Sequence, residues 1–169
     1  MELKQCQASP PLADLYAAID QRVAAITAAQ PRWPCHKGCD GCCRRLAQTP
    51  EMTAAEWHAV YEGFLRLEPA TQDHVASKIR ALAHAPQGDV MCPFLDDTSG
   101  ACRIYTHRPA ACRMYGFYVS REGNWWCDII EARHADGMGE GLILGNHRAM
   151  VRQFEAQFGE VKSIVAWFE

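Results

Sequence analysis

The sequence has no long apolar run. No window approaches the ~18 unbroken apolar residues that a membrane-spanning helix needs, so an integral membrane protein is not expected. The first thirty residues lack a basic segment followed by a continuous apolar stretch. Leu12 to Ala29 is broken by Asp14, Asp20, Gln21 and Arg22, so no secretory leader is expected either. Positive charge is not in excess: 17 Lys and Arg stand against 20 Asp and Glu, a formal net charge of −3. General nucleic-acid binding needs a basic surface and is therefore disfavoured. The seven histidines are scattered, with no His-Glu-x-x-His pair. The glycine-rich stretch from Asp136 to Gly141 fails the G-x-G-x-x-G pattern because Leu142 occupies the last position, and no clear strand precedes it. Low-complexity tracts, internal repeats and long linkers are absent. These exclusions leave a soluble, cytoplasmic, globular chain, read as a single domain over 1–169.

What the chain does have is cysteine. Nine in 169 residues, about 5 %, falls below the ~8–10 % of short disulfide scaffolds. Eight follow one grammar: Cys35-x3-Cys39-x2-Cys42-Cys43, then Cys92, Cys102, Cys112 and Cys127, with Cys6 outside it. Buried small residues, structural disulfides and an isolated C-x-x-C dithiol at Cys39–Cys42 are the plainer readings. A reducing compartment disfavours disulfides, and no thioredoxin-like strand precedes the dithiol. We therefore read the eight as ligands, since thiolates around a cation supply folding energy that a small core cannot. The spacing is neither the ferredoxin run nor a plain zinc ribbon, and all-thiolate coordination suits zinc and iron–sulfur clusters alike. The neighbouring side chains of Cys42 and Cys43 are expected to diverge, which points to ligands for two sites or to one ligand plus a reactive thiol.

Other residue types frame the sulfurs. Arg44, Arg45, Arg103, Arg108 and Arg113 lie within a few residues of a cysteine, where guanidiniums offset thiolate charge and donate to sulfur. Only His36 and His107 are near cysteines, and both read as ordinary polar residues. Tyr105 and Tyr115 read as core, and Trp125-Trp126 as packing beside Cys127.

The periodicity predicts an α+β fold, mainly helical, with two short β-hairpins around the cysteine-rich site. Leu12, Tyr16, Ile19, Val23 and Ile26 predict a helix over 11–30. Thr53-Ala-Ala-Glu56 is a capping-box signature, and it opens a helical insert over 53–84 that breaks at Glu68-Pro69. Residues 91–95 and 101–105 flank a polar turn, with Leu95 expected opposite Ala101. Cys92, Phe94, Cys102 and Ile104 then share one face. Pro109 starts a short helix carrying Cys112, and Gly116 ends it. A second hairpin is expected at 117–127, turning at Arg121-Glu122-Gly123. The segment 142–169 reads as C-terminal and helical, with helices over ~146–158 and ~160–168 and with Val151, Phe154 and Phe158 inward.

Together with Cys92-Pro-Phe-Leu, Cys102-x-Ile-Tyr and Arg108-Pro109-x-x-Cys112-Arg113-x-Tyr115, the first cluster resembles the YkgJ-type CxxCxxCC cysteine-cluster family. The resemblance covers 35–127. It implies a zinc- or iron-chelating domain, with an iron–sulfur centre such as a [4Fe-4S] cluster as one form, and makes Arg108 and Arg113 candidate cofactor-binding residues. Its first step is C-x3-C where the family name has C-x2-C. Flagellin lysine N-methylases carry a similar cluster, and that likeness implies S-adenosylmethionine chemistry on protein lysines. Two functional classes follow. The first is a metal-binding module with a structural, metal-handling or electron-transfer role and a protein partner to serve. The second is an enzyme, methylase-like or a thiol/metal redox catalyst. Replacing Cys39 or Cys102 with Ser is expected to lose metal and lower the melting temperature markedly, whereas Cys6→Ser is silent. Bound metal per chain and thermal melts check both.

Overall fold

The helical spacing of Leu12, Tyr16, Ile19 and Ile26 becomes α1 (Pro10–Ala29), with all four side chains buried. A computed structural model describes residues 10–46, 48–84, 90–120, 127–136, 143–145 and 147–169. A loop leads from α1 to a single helical turn, α2 (Gly41–Arg44). Strand β1 (Glu51–Thr53) then runs directly into α3 (Ala54–Leu65), and α4 (Pro69–Leu82) follows with proline at its first position. These two helices are the expected insert. Its ends are tied together by an antiparallel bridge between Leu46 and Val90, so the chain returns to the point where it left.

After the insert come a 3-10 turn (Tyr105–His107), α5 (Ala110–Met114) and β2 (Tyr118–Ser120). The chain continues through α6 (Asp128–Ala135), β3 (Ile143–Gly145), α7 (His147–Phe158), β4 (Val161–Ser163) and α8 (Ile164–Phe168). Among the described residues no helix is long and apolar enough to cross a membrane. The fold is mainly helical, as the periodicity predicts, but its strands pair differently.

The first expected hairpin shrinks to one bridge, Leu95 opposite Cys102 rather than Ala101. Its turn is closed by Asp96 Oδ1, which accepts from the amides of Thr98 and Ser99. Phe94 and Ile104 are nevertheless buried in one cluster, with Cys92 and Cys102 packed against it, so the shared face survives the change of register. The second expected hairpin lies largely outside the described residues; its first strand, β2, pairs in parallel with β3, and Cys127 precedes a helix that periodicity missed. The expected turn at 121–123, Trp125-Trp126 and Cys6 lie outside the described residues. Strand β4 interrupts the expected C-terminal helix because its backbone pairs antiparallel with β1, Glu51 against Ser163. Val151 points outward, 38 % exposed, while Phe158 is buried as expected.

Burial is divided among three apolar clusters. The largest joins α3, α4, the 94–104 segment and α8, with Trp57, Phe64 and Phe168 in edge-to-face contact. A second sits between α1, α5 and α7 around Leu12, Tyr16 and Phe158. The third gathers Ile26, Trp33, Phe117 and Ile130.

A buried carboxylate links the first two clusters. Glu56, 4 % exposed, completes the capping box: its Oε2 accepts from the Thr53 amide and hydroxyl at 3.0 and 2.9 Å. Its Oε1 accepts from the Ala110 amide at 2.8 Å, at the start of α5. One anion thus satisfies orphan donors at two helix N-termini, where the positive ends of both dipoles favour it. Glu56→Ala leaves these donors buried and unpaired, and a loss of about 2–4 kcal/mol is expected in urea denaturation. The exposed Glu51→Ala is expected to stay within about 0.5 kcal/mol of the parent.

Candidate metal centre

All eight cysteines of the grammar carry free thiols, and they meet where the three clusters adjoin. Cys35 and Cys127 pack on the third cluster; Cys92 and Cys102 pack on the first. Between them the loop from Cys35 to Asp40 turns at Gly38, whose φ of 100° is natural for glycine. It closes with the Cys39 amide bonded to the His36 carbonyl. The turn of α2 then presents Cys42 and Cys43. The Cys92 amide donates to the Cys43 carbonyl at 2.7 Å, which brings the second half of the array onto the first. Helix α5 delivers Cys112.

Neighbouring side chains do not diverge at Cys42 and Cys43 as expected: their Sγ atoms lie 3.9 Å apart. That is van der Waals contact, well beyond the ~2.05 Å of a disulfide. Gly116 shows how tightly the sulfurs are enclosed. Its φ is +79°, and a Cβ built there would lie 2.1 Å from Cys35 Sγ. The Trp33 indole donates to the Gly116 carbonyl at 3.1 Å, locking the turn over the sulfur.

The electrostatics divide the thiols. Sulfur contact with Cys43 raises the thiols of Cys42 and Cys92, with burial adding to the effect. The same two contacts, with help from the Arg108 charge, hold Cys43 far below the ordinary thiol range. Burial raises Cys102, and the field of Cys43 adds to it. Cys112 is exposed as a whole residue, yet dense protein around its sulfur, then Cys43 and Cys102, pushes its thiol up to about 12. The crowding at the sulfur, rather than the surface of the residue, governs the thiol. Cys35 is pushed up to about 12 by burial, then by Cys39 and Cys127.

Among the described residues no three Cys, His, Asp or Glu side chains yet close around an ion. The donor set nonetheless suits a thiophilic metal: reduced, partly desolvated sulfurs from separate segments, one of them so close to Gly116 that only glycine fits there. Ligands for such an ion would be drawn from these eight thiols.

Of the nearby cations, Arg108 belongs to the sulfurs. Its guanidinium stacks 3.5 Å over the Tyr105 ring, its Nε donates to the Tyr105 carbonyl, and its charge reaches Cys43, Cys102 and Cys112. Arg113 turns to α1 instead. It donates to Asp20 at 2.6 Å and to the Arg108 and Thr106 carbonyls, and covers the Tyr16 ring. Arg44 pairs with Asp40 and Arg103 with Asp96; Arg45 is exposed. Tyr115 is at the site rather than in the core: burial, then the fields of Cys42, Cys127, Cys35 and Cys43, raise its phenol. His36 faces the Lys37 carbonyl, and His107 faces Thr106 and Arg66. Trp33 and Gly116 were not legible as site residues. The one available hint was that Trp33 stands two positions before Cys35.

Residues 34–130 match the model of the CxxCxxCC family, described as "Putative zinc- or iron-chelating domain". A relative from Mycobacterium sp. (strain JLS), named "Putative S-adenosyl-L-methionine-dependent methyltransferase", is 36 % identical over 77 residues. The match covers 46 % of this chain and 25 % of that relative, so the chain spans about a quarter of the relative's length. No solved structure matches. Gly116→Ala is expected to lower both bound metal and melting temperature, because its Cβ displaces Cys35 and its φ is unfavourable. Gly41→Ala, with open space at its Cβ, is expected to retain metal. Metal analysis and melts of the two variants check this.

Proposed function

The chain belongs to the CxxCxxCC family of zinc- or iron-chelating domains, and we propose that it is a metal-binding module built on thiolates. The observation that carries this reading is the gathering of Cys35, Cys39, Cys42, Cys43, Cys92, Cys102, Cys112 and Cys127, all unbridged, around Arg108 and Tyr115. A bound divalent ion stabilises thiolates that burial and mutual repulsion otherwise disfavour, and its binding free energy becomes folding free energy. Arg108 offsets the excess negative charge of a thiolate-bound ion. Arg113 supports the site indirectly, by clasping α5 to α1. A cytoplasmic setting, which keeps thiols reduced, agrees with this role.

The role is structural, metal-handling or electron transfer, according to the metal held. Methyl transfer is named for a protein of which this chain spans only a quarter, and no feature of the thiol site calls for it. The deciding experiment is elemental analysis and acid-labile sulfide on protein purified without oxygen, with a visible spectrum. Iron with sulfide and a broad absorption identify an iron–sulfur protein. Zinc on a colourless chain identifies a structural or metal-handling module. A chain without either metal that also takes up neither from solution ends the reading. Chelator treatment of the metal-loaded protein is expected to lower its melting temperature, by an amount that depends on free metal concentration.

A further inference from the structure

We infer that Tyr105 is a positioning residue for the sulfur array: its ring holds Arg108 and Lys37 together and so clasps the loop of Cys39 to the segment of Cys102. The inference rests on the proposed metal-binding role and names residues that set how tightly an ion is held.

Tyr105 opens the 3-10 turn that lies between Cys102 and Arg108. It is half-buried and stands outside the three apolar clusters, so core packing does not account for its ring. The ring carries cations instead. The guanidinium carbon of Arg108 lies 3.5 Å from the ring centroid, and Arg108 Nε donates to the Tyr105 carbonyl at 2.8 Å. Two contacts with one residue thereby fix the guanidinium that faces the sulfurs. Lys37 Nζ sits 5.4 Å from the same centroid, within the ~6 Å reach of cation–π attraction.

Lys37 comes from the other half of the cysteine array. It precedes Cys39 in the loop that turns at Gly38. Just beyond Cys39, Asp40 lies against the turn that leads to Cys102: a Cβ built on Gly100 would meet Asp40 Oδ2 at 2.8 Å. Cys39 is therefore bracketed by two contacts, Lys37 on Tyr105 and Asp40 beside Gly100. Cys102 is bracketed by the two residues that receive them. Two cations on one ring repel each other, a cost that negative charge nearby offsets. Thiolates in excess of a bound ion's own charge supply that offset. The clasp is thus strongest when the site is loaded, and it acts on metal affinity.

Titration of the metal-free full chain with Co²⁺ against a chromophoric chelator, without oxygen, tests the clasp. Tyr105→Leu keeps apolar bulk without a ring face, and is expected to weaken Co²⁺ binding about tenfold. Tyr105→Phe restores the face and is expected to stay within about twofold of the wild type. Lys37→Met is expected to weaken binding about two- to fivefold in the wild type and in Tyr105→Phe, and to add nothing in Tyr105→Leu. A tyrosine that merely fills space does not make the effect of Lys37 depend on its ring. Equal losses from Lys37→Met in all three backgrounds therefore overturn the clasp. So does a Tyr105→Leu chain that binds Co²⁺ like the wild type, or a Tyr105→Phe chain as weak as Tyr105→Leu. If Tyr105→Leu does not stay helical by circular dichroism, Lys37→Met at its exposed position decides. Unchanged affinity then overturns the clasp, and weakening in both the wild type and Tyr105→Phe supports it. A wild-type chain that takes up no metal overturns the metal-binding reading itself, an outcome distinct from the others.

Discussion

One buried carboxylate holds the frame on which the sulfurs are mounted. Glu56 accepts from Thr53 at the start of α3 and from Ala110 at the start of α5. A carboxyl group buried to this degree is tolerable because both of its oxygens accept hydrogen bonds, three donors in all. Two helix N-termini supply those donors and the favourable dipoles. The consequence reaches the site because α5 is only five residues long and carries Cys112 in its first turn. Such a helix has no stability of its own. Glu56 fixes its beginning, Gly116 its end, and Arg113 clasps its flank to Asp20 of α1.

The same logic explains where the thiols lie. A sulfur inside any one cluster would be inert, a small apolar side chain among others. Cys92 and Cys102 are anchored on the first cluster and Cys35 and Cys127 on the third, each beside other cysteines. The helical insert does not disturb this arrangement, because the Leu46–Val90 bridge closes it off. The insert and the C-terminal β4–α8 segment build the largest core behind Cys92 and Cys102. The rest of the chain thus contributes to the site by stiffening its walls. Burial raises the thiols of Cys35, Cys102 and Cys112, and contact with Cys43 raises those of Cys42 and Cys92 while lowering that of Cys43.

What the sequence determined by itself was the donor set and the local elements. Cysteine count and spacing mark the candidate donors because thiolate chemistry depends on residue type, not on conformation. The periodic stripe of α1, the capping box at Thr53–Glu56, the break at Pro69 and the stop at Gly116 were all legible, since each rests on interactions within a few residues. Tertiary structure alone decided the rest. The pairing of β1 with β4, more than a hundred residues apart, leaves no local trace, and it replaced part of an expected helix. The parallel partner of β2 was hidden for the same reason. The second role of Glu56, the approach of Gly116 to Cys35 and the opposite duties of Arg108 and Arg113 depend on which segments the clusters bring together. Residues that look equivalent beside a cysteine in sequence acquire different neighbours in space, and those neighbours set their charge, burial and chemistry.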